Sequence, residues 1–322
     1  MSKIRVLSIE NWEPIRSWSW GIVIERLVEN LPGYRFTRIR RGVFHCDNPR
    51  CKRQFAYPLE GELVKDYDII FPQNADTISI IPNHEKVVAR IGGLDMRNPA
   101  TERYAKDFER VAHIIATNNA LLEIAKESNP NCQVIPNGVN LETFCPSAGT
   151  VDTDRAFMLG FAGNIMGGGA EYKGWKYYVE ACARLAADGV QQRYLLHNVN
   201  QVAHDLMPEQ FYHLIDALVL PSMGEGCSNV VSEALACGVP VLTTKVGFHG
   251  EMLEHEKNCL FIERDAVNIA ENVRRLINDP DLRLRLAVNG RTFAERYHDV
   301  KVIAGQYDEI FKRVLGIGKD RL

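Results

Sequence analysis

Short apolar runs alternate with amphipathic stretches along the whole chain. The runs are typical of buried parallel strands, and the stretches between them place apolar residues at helical spacing. Predicted strands cover 4–9, 34–39, 67–71, 86–90, 112–116, 133–136, 157–162, 193–196, 217–220, 239–243 and 260–262. Predicted helices cover 21–29, 119–127, 175–188, 228–237, 266–277, 281–288 and 302–314. The alternation predicts an α/β fold in which helices cover parallel sheets.

A polar segment interrupts this alternation near the middle of the chain. Residues 145–154 are small and polar, as linkers are, and a new apolar strand follows them. The sequence therefore predicts two similar α/β domains, residues 1–148 and 152–299. We expect ligands to bind in a cleft between the domains, at the carboxyl ends of the strands.

Composition and charge are those of an ordinary globular protein. The 322 residues are 46% hydrophobic and 25% charged, and 38 basic against 41 acidic residues give a formal net charge of -3. This balance argues against a protein that binds nucleic acid or membrane with its whole surface. No run reaches the roughly 18 apolar residues of a membrane-spanning helix, and the scattered cysteines suggest reduced thiols. We expect a cytoplasmic protein, with peripheral contact at the inner membrane face as an option.

One group of residues has a weak resemblance to a metal site. His45 and Cys46 lie close to Cys51, but four residues separate the two cysteines and no second ligand pair is near. The sequence therefore predicts no metal.

The segment from Leu220 to Pro240 carries the most informative pattern. A buried strand ends, a glycine-flanked loop follows, and Ser228 is a favourable N-cap for a helix that we expect to stop at Gly238. Glu225 lies in the loop and Glu233 in the helix. Amide groups at a helix N-terminus bind phosphate, and carboxylates accept hydrogen bonds from hydroxyls. The pattern predicts that both carboxylates face one crevice that binds a nucleoside diphosphate sugar.

Each of these features also has a purely structural interpretation. A glutamate in an amphipathic helix most often faces solvent. Lys173 taken alone is typical of a surface lysine, and the glycines at 167–169 suit a flexible loop as well as a phosphate contact. The segment from Leu220 to Pro240, taken as a whole, favours the functional interpretation.

The segment resembles the signature of glycosyltransferase family 4. In that signature Pro-Ser comes first, then Glu-Gly, and a second Glu, seven intervening residues after the first, opens Glu-Ala-x-Ala-x-Gly-x-Pro. The same order occurs between Pro221 and Pro240. The strand at 160–163 with the later Lys173-Gly174, and Pro-Asn-Gly-Val-Asn at 136–140, also resemble the family. The resemblance extends over roughly residues 112–300.

This resemblance implies a GT-B architecture: two Rossmann-like domains that face each other across a cleft, with a last helix, about 300–322, that returns to the first domain. It implies retaining transfer of a sugar from a UDP- or GDP-sugar to a hydroxyl of a glycan or lipid-linked acceptor, without a cofactor or metal. The catalytic residues implied are Glu225, Lys173 and Asp95. The donor contacts implied are Glu233, Gly226, Ser228, Asn229, Val230, Asn164, Gly163 and Gly168.

The resemblance also assigns individual roles. Lys173 would pair with the donor phosphates, Glu225 would contact the transferred sugar, and Glu233 would bind the ribose hydroxyls. Asn164 stands where many members carry an arginine, so one phosphate contact of the family is absent. The segment 90–97 follows the strand that should carry the family's cleft histidine, and Asp95, Arg90 or the amides of the glycines at 92–93 take its place.

A basic segment, Arg35–Arg53, favours an anionic acceptor. It holds seven basic residues against one acidic residue, Asp47. Such a patch attracts a phosphorylated glycan, a lipid phosphate or nucleic acid, whereas the alternative is a strand edge protected by charge. Three other functions stay open: transfer to modified nucleic acid, nucleotide-sugar epimerisation, and a binding module without activity.

Overall fold

The computed structural model describes residues 3–10, 19–40, 64–73, 75–81, 84–92, 106–147, 155–165, 168–196 and 202–317. The strands of these ranges, β1 to β11 in chain order, are Ile4–Glu10, Tyr34–Arg40, Ile69–Pro72, Val88–Ile91, His113–Ala116, Cys132–Val134, Met158–Gly163, Gln191–Leu196, Ala217–Leu220, Val241–Thr243 and Leu260–Phe261. The α-helices, α1 to α10, are Ser19–Glu29, Asn119–Lys126, Gly169–Lys173, Trp175–Leu185, Met207–Gln210, Asn229–Ala236, Gly247–Met252, Ala266–Asn278, Pro280–Tyr297 and Val300–Val314.

The predicted alternation of strands and helices is confirmed, although the short helices α3, α5 and α7 were not predicted and α9 is longer than predicted. Helix α3 lies where the sequence predicts only a glycine-rich turn. Helix α9 continues well past its predicted end at residue 288, because Gly290 is not a stop. Gly290 instead packs against the side chain of Leu235 in α6, where a Cβ would lie 2.8 Å from Leu235 Cδ2. The glycine allows two helices to approach closely.

The chain divides into two compact units. The first contains residues 1–136 and 301–322, and the second contains residues 137–300. Helix α10 thus contributes to the first unit, and its apolar face is part of that unit's core. The buried residues of this face are Ile303, Ala304, Tyr307, Ile310 and Phe311.

The division falls before the predicted linker at 145–154. The reason is that the preceding residues already pack within the second unit. The side chain of Asn137 donates a hydrogen bond to the carbonyl of Cys227 at 2.8 Å. The carbonyl of Phe144 accepts one from Arg291 at 2.8 Å.

The first unit has parallel strands in the orders β2-β1-β3 and β4-β5-β6. A parallel bridge between Ile70 and Val87 connects β3 to the chain just before β4. Among the strands that the structure describes, β2 lies at an edge, and it carries Arg35 and Arg38 of the basic segment. The rest of that segment, from residue 41, lies outside the described ranges.

The second unit has a parallel sheet in the order β11-β10-β9-β7-β8. The chain passes from β7 to β8 on one side and then returns to add β9 on the other side. Such a reversal of strand order leaves a crevice at the carboxyl ends of the two strands that flank it. The residues that follow β7 and β9 are therefore those best placed to hold a ligand.

Two expectations from composition concern cysteines and membrane spans. The cysteines in the described ranges are free thiols: Cys132, Cys145, Cys182, Cys227, Cys237 and Cys259. Within the same ranges, no helix has both the length and the apolar character that crossing a bilayer requires. His45, Cys46 and Cys51 lie outside the described residues, so the absence of a zinc site there stays a prediction.

Candidate functional site

An ion pair lies at the carboxyl ends of β7 and β9. Lys173 is the last residue of α3, which follows β7, and Glu225 lies in the loop after β9. Lys173 Nζ donates to Glu225 Oε1 at 2.5 Å, and Ser222 Oγ donates to the same oxygen at 2.7 Å. The two charged side chains are 24% and 13% exposed. A cation and a carboxylate are thus held at the reversal of strand order in the sheet.

Glycines bring Lys173 into this position. Gly163, at the end of β7, lies beside the Lys173 side chain, where a Cβ would make an ordinary contact of 3.5 Å with Lys173 Cγ. Gly174 ends α3 with φ at +71°. A side chain at Gly174 would be strained in this conformation and would also collide with the carbonyl oxygen of Pro221. The close approach of α3 to the end of β9 therefore requires glycine.

The loop that carries Glu225 is held by the chain that follows β10. Phe248 donates its backbone N–H to the Gly226 carbonyl at 2.8 Å. Thr244 Oγ1 donates to the Ser222 carbonyl at 2.6 Å. Residues after three neighbouring strands, β7, β9 and β10, therefore fix the geometry of the ion pair.

The predicted start and stop of α6 are confirmed. Ser228 is the N-cap, and its hydroxyl oxygen accepts a hydrogen bond from the backbone N–H of Val231. Gly238 follows the helix with φ at +68° and donates its N–H to the Leu235 carbonyl at 3.0 Å. The local sequence is thus sufficient to set both ends of this helix.

The N-terminal end of α6 is largely buried. Residues 227–229 are buried, and Asn229 Oδ1 accepts a hydrogen bond from Asn137 Nδ2 at 2.7 Å. Gly226 and Val230 are half-buried. The helix end is therefore partly accessible only at Gly226 and Val230.

Glu233 does not face an open crevice, which corrects the sequence-based expectation. Its side chain is 2% exposed, and Oε1 lies 2.8 Å from His204 Nε2. The hydroxyl of Tyr212 donates to Oε2 at 2.8 Å. His204 in turn packs against the ring of Phe144, with 5.0 Å between ring centroids. Helix α6 is buried on nearly all faces, so its glutamate is enclosed by residues from distant segments.

The other predicted donor and catalytic residues have separate positions. Asn164 follows β7, and its backbone carbonyl lies against Gly169 so closely that a Cβ there would collide with it. Gly168 is exposed and precedes α3 with φ at +86°. Asp95 lies outside the described residues.

Residues 156–279 match the family model "Glycosyl transferases group 1". An uncharacterised glycosyltransferase of Methanocaldococcus jannaschii is 37% identical over 89 residues, 27% of this chain and 25% of that protein. The capsular polysaccharide biosynthesis glycosyltransferase CapM of Staphylococcus aureus is 33% identical over 119 residues, 37% of this chain and 31% of CapM. The matched segments thus span less than a third of either relative.

A solved structure is similar over nearly the whole chain. Anabaena HepE in complex with UDP and glucose has a TM-score of 0.71 at 14% identity, and the match covers 95% of this chain and 98% of HepE. The fold is GT-B. At this identity the likeness establishes the fold alone, and it confirms the predicted fold class. In this GT-B chain, Lys173, Glu225 and α6 all lie within the segment that matches group 1 glycosyltransferases.

The second unit of the GT-B chain also holds a buried cluster that the sequence did not indicate. Cys227 Sγ and ring nitrogens of His249 and His298 all lie within 4.8 Å of one another. Burial, and then the neighbouring His298, hold the pKa of His249 well below its usual value, so its imidazole is neutral at neutral pH. The three residues are far apart in sequence and form no local motif, so spacing rules cannot find them.

Proposed function

We propose that the chain is a retaining glycosyltransferase that moves a sugar from a UDP- or GDP-sugar to a hydroxyl group of a glycan or lipid-linked acceptor. The observation that carries the proposal is the Lys173–Glu225 ion pair at the strand-order reversal. The match of residues 156–279 to group 1 glycosyltransferases supports sugar transfer. UDP and glucose in HepE support the donor class, and the capsular polysaccharide role of CapM supports a glycan acceptor.

Donor binding follows from the charges around the ion pair. Lys173 Nζ and the amides at the α6 N-terminus offer positive charge to the diphosphate, past Gly226 and Val230. Asn164, Gly163 and Gly168 follow or end β7 on the same side of the sheet and complete the proposed donor contacts.

Glu233 binds the ribose hydroxyls in this proposal. Its carboxylate accepts a hydrogen bond from Tyr212 and lies within hydrogen-bond distance of His204, as it would with ribose hydroxyls. Because the side chain is 2% exposed, a ribose hydroxyl has to replace the His204 contact. Donor binding therefore includes a displacement of His204.

The chemical step breaks the bond between the anomeric carbon and the diphosphate oxygen. The acceptor hydroxyl oxygen bonds to that carbon on the face from which the diphosphate departs, and the diphosphate takes the hydroxyl proton. Lys173 stabilises the negative charge that develops on the leaving group, and Glu225 positions the transferred sugar. Asp95 is the third catalytic residue of this proposal. In this proposal the positive charge that stabilises the diphosphate comes from Lys173, and no metal takes part in the transfer step.

The acceptor carries an anionic group in this proposal. Arg35 is exposed on β2, at an edge of the described sheet, and it begins the basic Arg35–Arg53 segment. A phosphorylated glycan or a lipid diphosphate at the inner membrane face has the complementary charge.

Thermal-shift measurements with UDP-, GDP- and ADP-sugars test the donor assignment. A donor at 100 times its Kd is expected to stabilise the protein by about 2.7 kcal/mol. The matching nucleoside monophosphate and free sugar serve as controls, because they lack the diphosphate. If no nucleotide sugar raises the Tm above these controls, the proposed function is wrong.

Turnover of the donor without an acceptor distinguishes a transferase from a nucleotide-sugar epimerase. With a UDP- or GDP-sugar alone, NMR is expected to show no new sugar isomer, and product forms only when a glycan acceptor is added. A change of sugar configuration without acceptor would instead identify an epimerase.

A further inference from the structure

We propose that Cys227, His249 and His298 form a structural binding site for a thiophilic divalent metal ion, with Zn²⁺ as the physiological occupant. The site lies within the second unit and goes beyond the proposed transferase function, on which it does not depend. The three residues are 8%, 2% and 0% exposed. Such burial is typical of a closed structural zinc site and not of one with an open catalytic position.

The donor set and the distances suit zinc. One thiolate and two imidazoles are ligands that zinc prefers, and Zn–S and Zn–N bonds of about 2.3 and 2.0 Å place tetrahedral ligand atoms roughly 3.3–3.6 Å apart. The three ligand atoms here lie within 4.8 Å of one another. Small side-chain rotations therefore bring them to bonding distance. Ser232 Oγ, which lies 3.2 Å from His249 Nε2, takes the fourth position and closes the site.

Asn137 orients two of the three ligands. Its backbone carbonyl lies 2.9 Å from His298 Nδ1 and can only accept, so Nδ1 carries the proton and Nε2 presents its lone pair. Nε2 is the nitrogen on the side of Ser232. Metal-binding histidines characteristically donate their second N–H to a carbonyl in this way. The Asn137 backbone N–H also points to Cys227 Sγ at 3.4 Å, which favours the thiolate.

Ser232 lies at the centre of this cluster. Its hydroxyl donates to the Ser228 carbonyl at 3.0 Å, and its oxygen lies 3.2 Å from His249 Nε2 and 3.4 Å from His298 Nε2. Both rings therefore present the same nitrogen to one point, where a metal ion would engage them together with the sulfur.

The site has a structural consequence. Asn137 is the first residue of the second unit, and His298 lies just before its last residue, Val300. Cys227 lies directly before the N-cap of α6. A bound ion would therefore fasten the two ends of the unit to the helix that we assign to donor binding.

Metal analysis of protein purified without a metal-affinity step tests the site. We expect about one equivalent of zinc per chain by mass spectrometry of the digested protein. After exchange with Co²⁺, we expect the absorption bands of tetrahedral cobalt and a thiolate-to-cobalt charge-transfer band. Removal of the metal with a chelator is expected to lower the Tm.

Substitutions of two of the three residues identify the metal ligands. Cys227→Ser is expected to lose the charge-transfer band, and His298→Gln is expected to lose the bound metal. Cys259→Ser is the matched control, because Cys259 is a fully buried thiol of the same unit outside the cluster. Cys259→Ser is expected to retain both the bound metal and the charge-transfer band.

Two outcomes would overturn the site. One is wild-type protein with only trace zinc and no cobalt band after exchange, a result that does not depend on how the variants fold. The other is zinc retained at wild-type level in both Cys227→Ser and His298→Gln. Neither outcome depends on sugar transfer, so the metal site and the proposed function can fail separately.

Discussion

Lys173 and Glu225 make the contacts that bear most directly on the proposed chemistry. The carboxylate accepts hydrogen bonds from both Lys173 and Ser222, so it fixes the lysine ammonium at the crevice. Its removal leaves the lysine without this partner while the diphosphate can still bind.

Glu225→Ala is therefore expected to lower kcat by about 100-fold or more while the donor KM changes only a few-fold. Steady-state kinetics with the donor found by thermal shift measure this. Glu180→Ala on α4 is the control, because Glu180 is half exposed and its contact with Lys176 is 3.9 Å long. Wild-type kcat in Glu225→Ala would remove this residue from the mechanism.

Glu233→Ala, in contrast to Glu225→Ala, is expected to weaken donor binding. The substitution removes the proposed ribose acceptor, so the donor Kd is expected to rise about 10-fold or more, which is the loss of one charged hydrogen bond. It also leaves the Tyr212 hydroxyl without its Glu233 contact, so the Tm is expected to fall. Calorimetric titration with the donor gives the Kd, and an unchanged value would contradict the assignment.

His113 gives the first unit a dependence on pH. Burial, and then Arg313, lower the pKa of His113 from 6.5 to about 4. The unfolded state therefore binds more protons below pH 6.5, and stability is lost as the pH falls from 6.5 towards 4. The Nε2 atom is also buried without a hydrogen-bond partner.

His113→Leu is expected to abolish this contribution. Between about pH 7.5 and 5.5, wild-type protein should lose about 1 kcal/mol more unfolding free energy than the variant, as measured by urea denaturation. His255→Gln is the control, because His255 is well exposed. Parallel pH profiles for wild type and His113→Leu would refute the prediction.

At the scale of elements, Gly174 couples α3 to the end of β9. Gly174→Ala is expected to cost roughly 2–4 kcal/mol, because the strain of positive φ adds to the collision with Pro221. Gly189→Ala is a matched control, since Gly189 also has positive φ, +76°, but nothing lies within 4 Å of its Cβ position. It should cost roughly 1 kcal/mol. Unfolding free energies are measured by denaturant titration. If Gly174→Ala and Gly189→Ala lose the same free energy, the collision with Pro221 has no effect.

Elements with local signals could be predicted from the sequence, and those held by distant contacts could not. The ends of α6 follow from Ser228 and Gly238, which act within a few residues. Helix α3 has no such pattern, because contacts from residues 223–224 hold it: Tyr172 donates its hydroxyl to the Gly224 carbonyl and accepts the Met223 N–H at its own carbonyl.

The candidate site shows the same limit. Lys173 and Glu225 are 52 residues apart, so only the family resemblance suggested a shared site. Nothing near Glu233 indicates that His204 and Tyr212 enclose it, and an amphipathic-helix argument therefore places it at the surface. Tertiary contacts decide what the local pattern leaves open.

At the scale of the whole molecule, the first unit depends on the last helix of the chain. Helix α10 places Tyr307 and Phe311 in the core, where Phe311 packs against Phe71 with 5.5 Å between ring centroids. Truncation after residue 299 is expected to expose this core, raise binding of the dye ANS and remove cooperative unfolding of the first unit. Removal of residues 318–322 keeps α10 whole and is the control. A truncated chain with the wild-type unfolding transition would contradict the prediction.

The second unit is one continuous segment whose two ends meet. Val139 pairs with Asp299 in a parallel bridge, and Val300 donates its N–H to the Val139 carbonyl at 3.1 Å. Because its two ends adjoin, recombination can replace this segment as one piece at two neighbouring junctions. The first unit then keeps its own chain ends. Evolution can thus replace the whole second unit of such a protein by a single insertion and leave the sequence of the first unit unchanged.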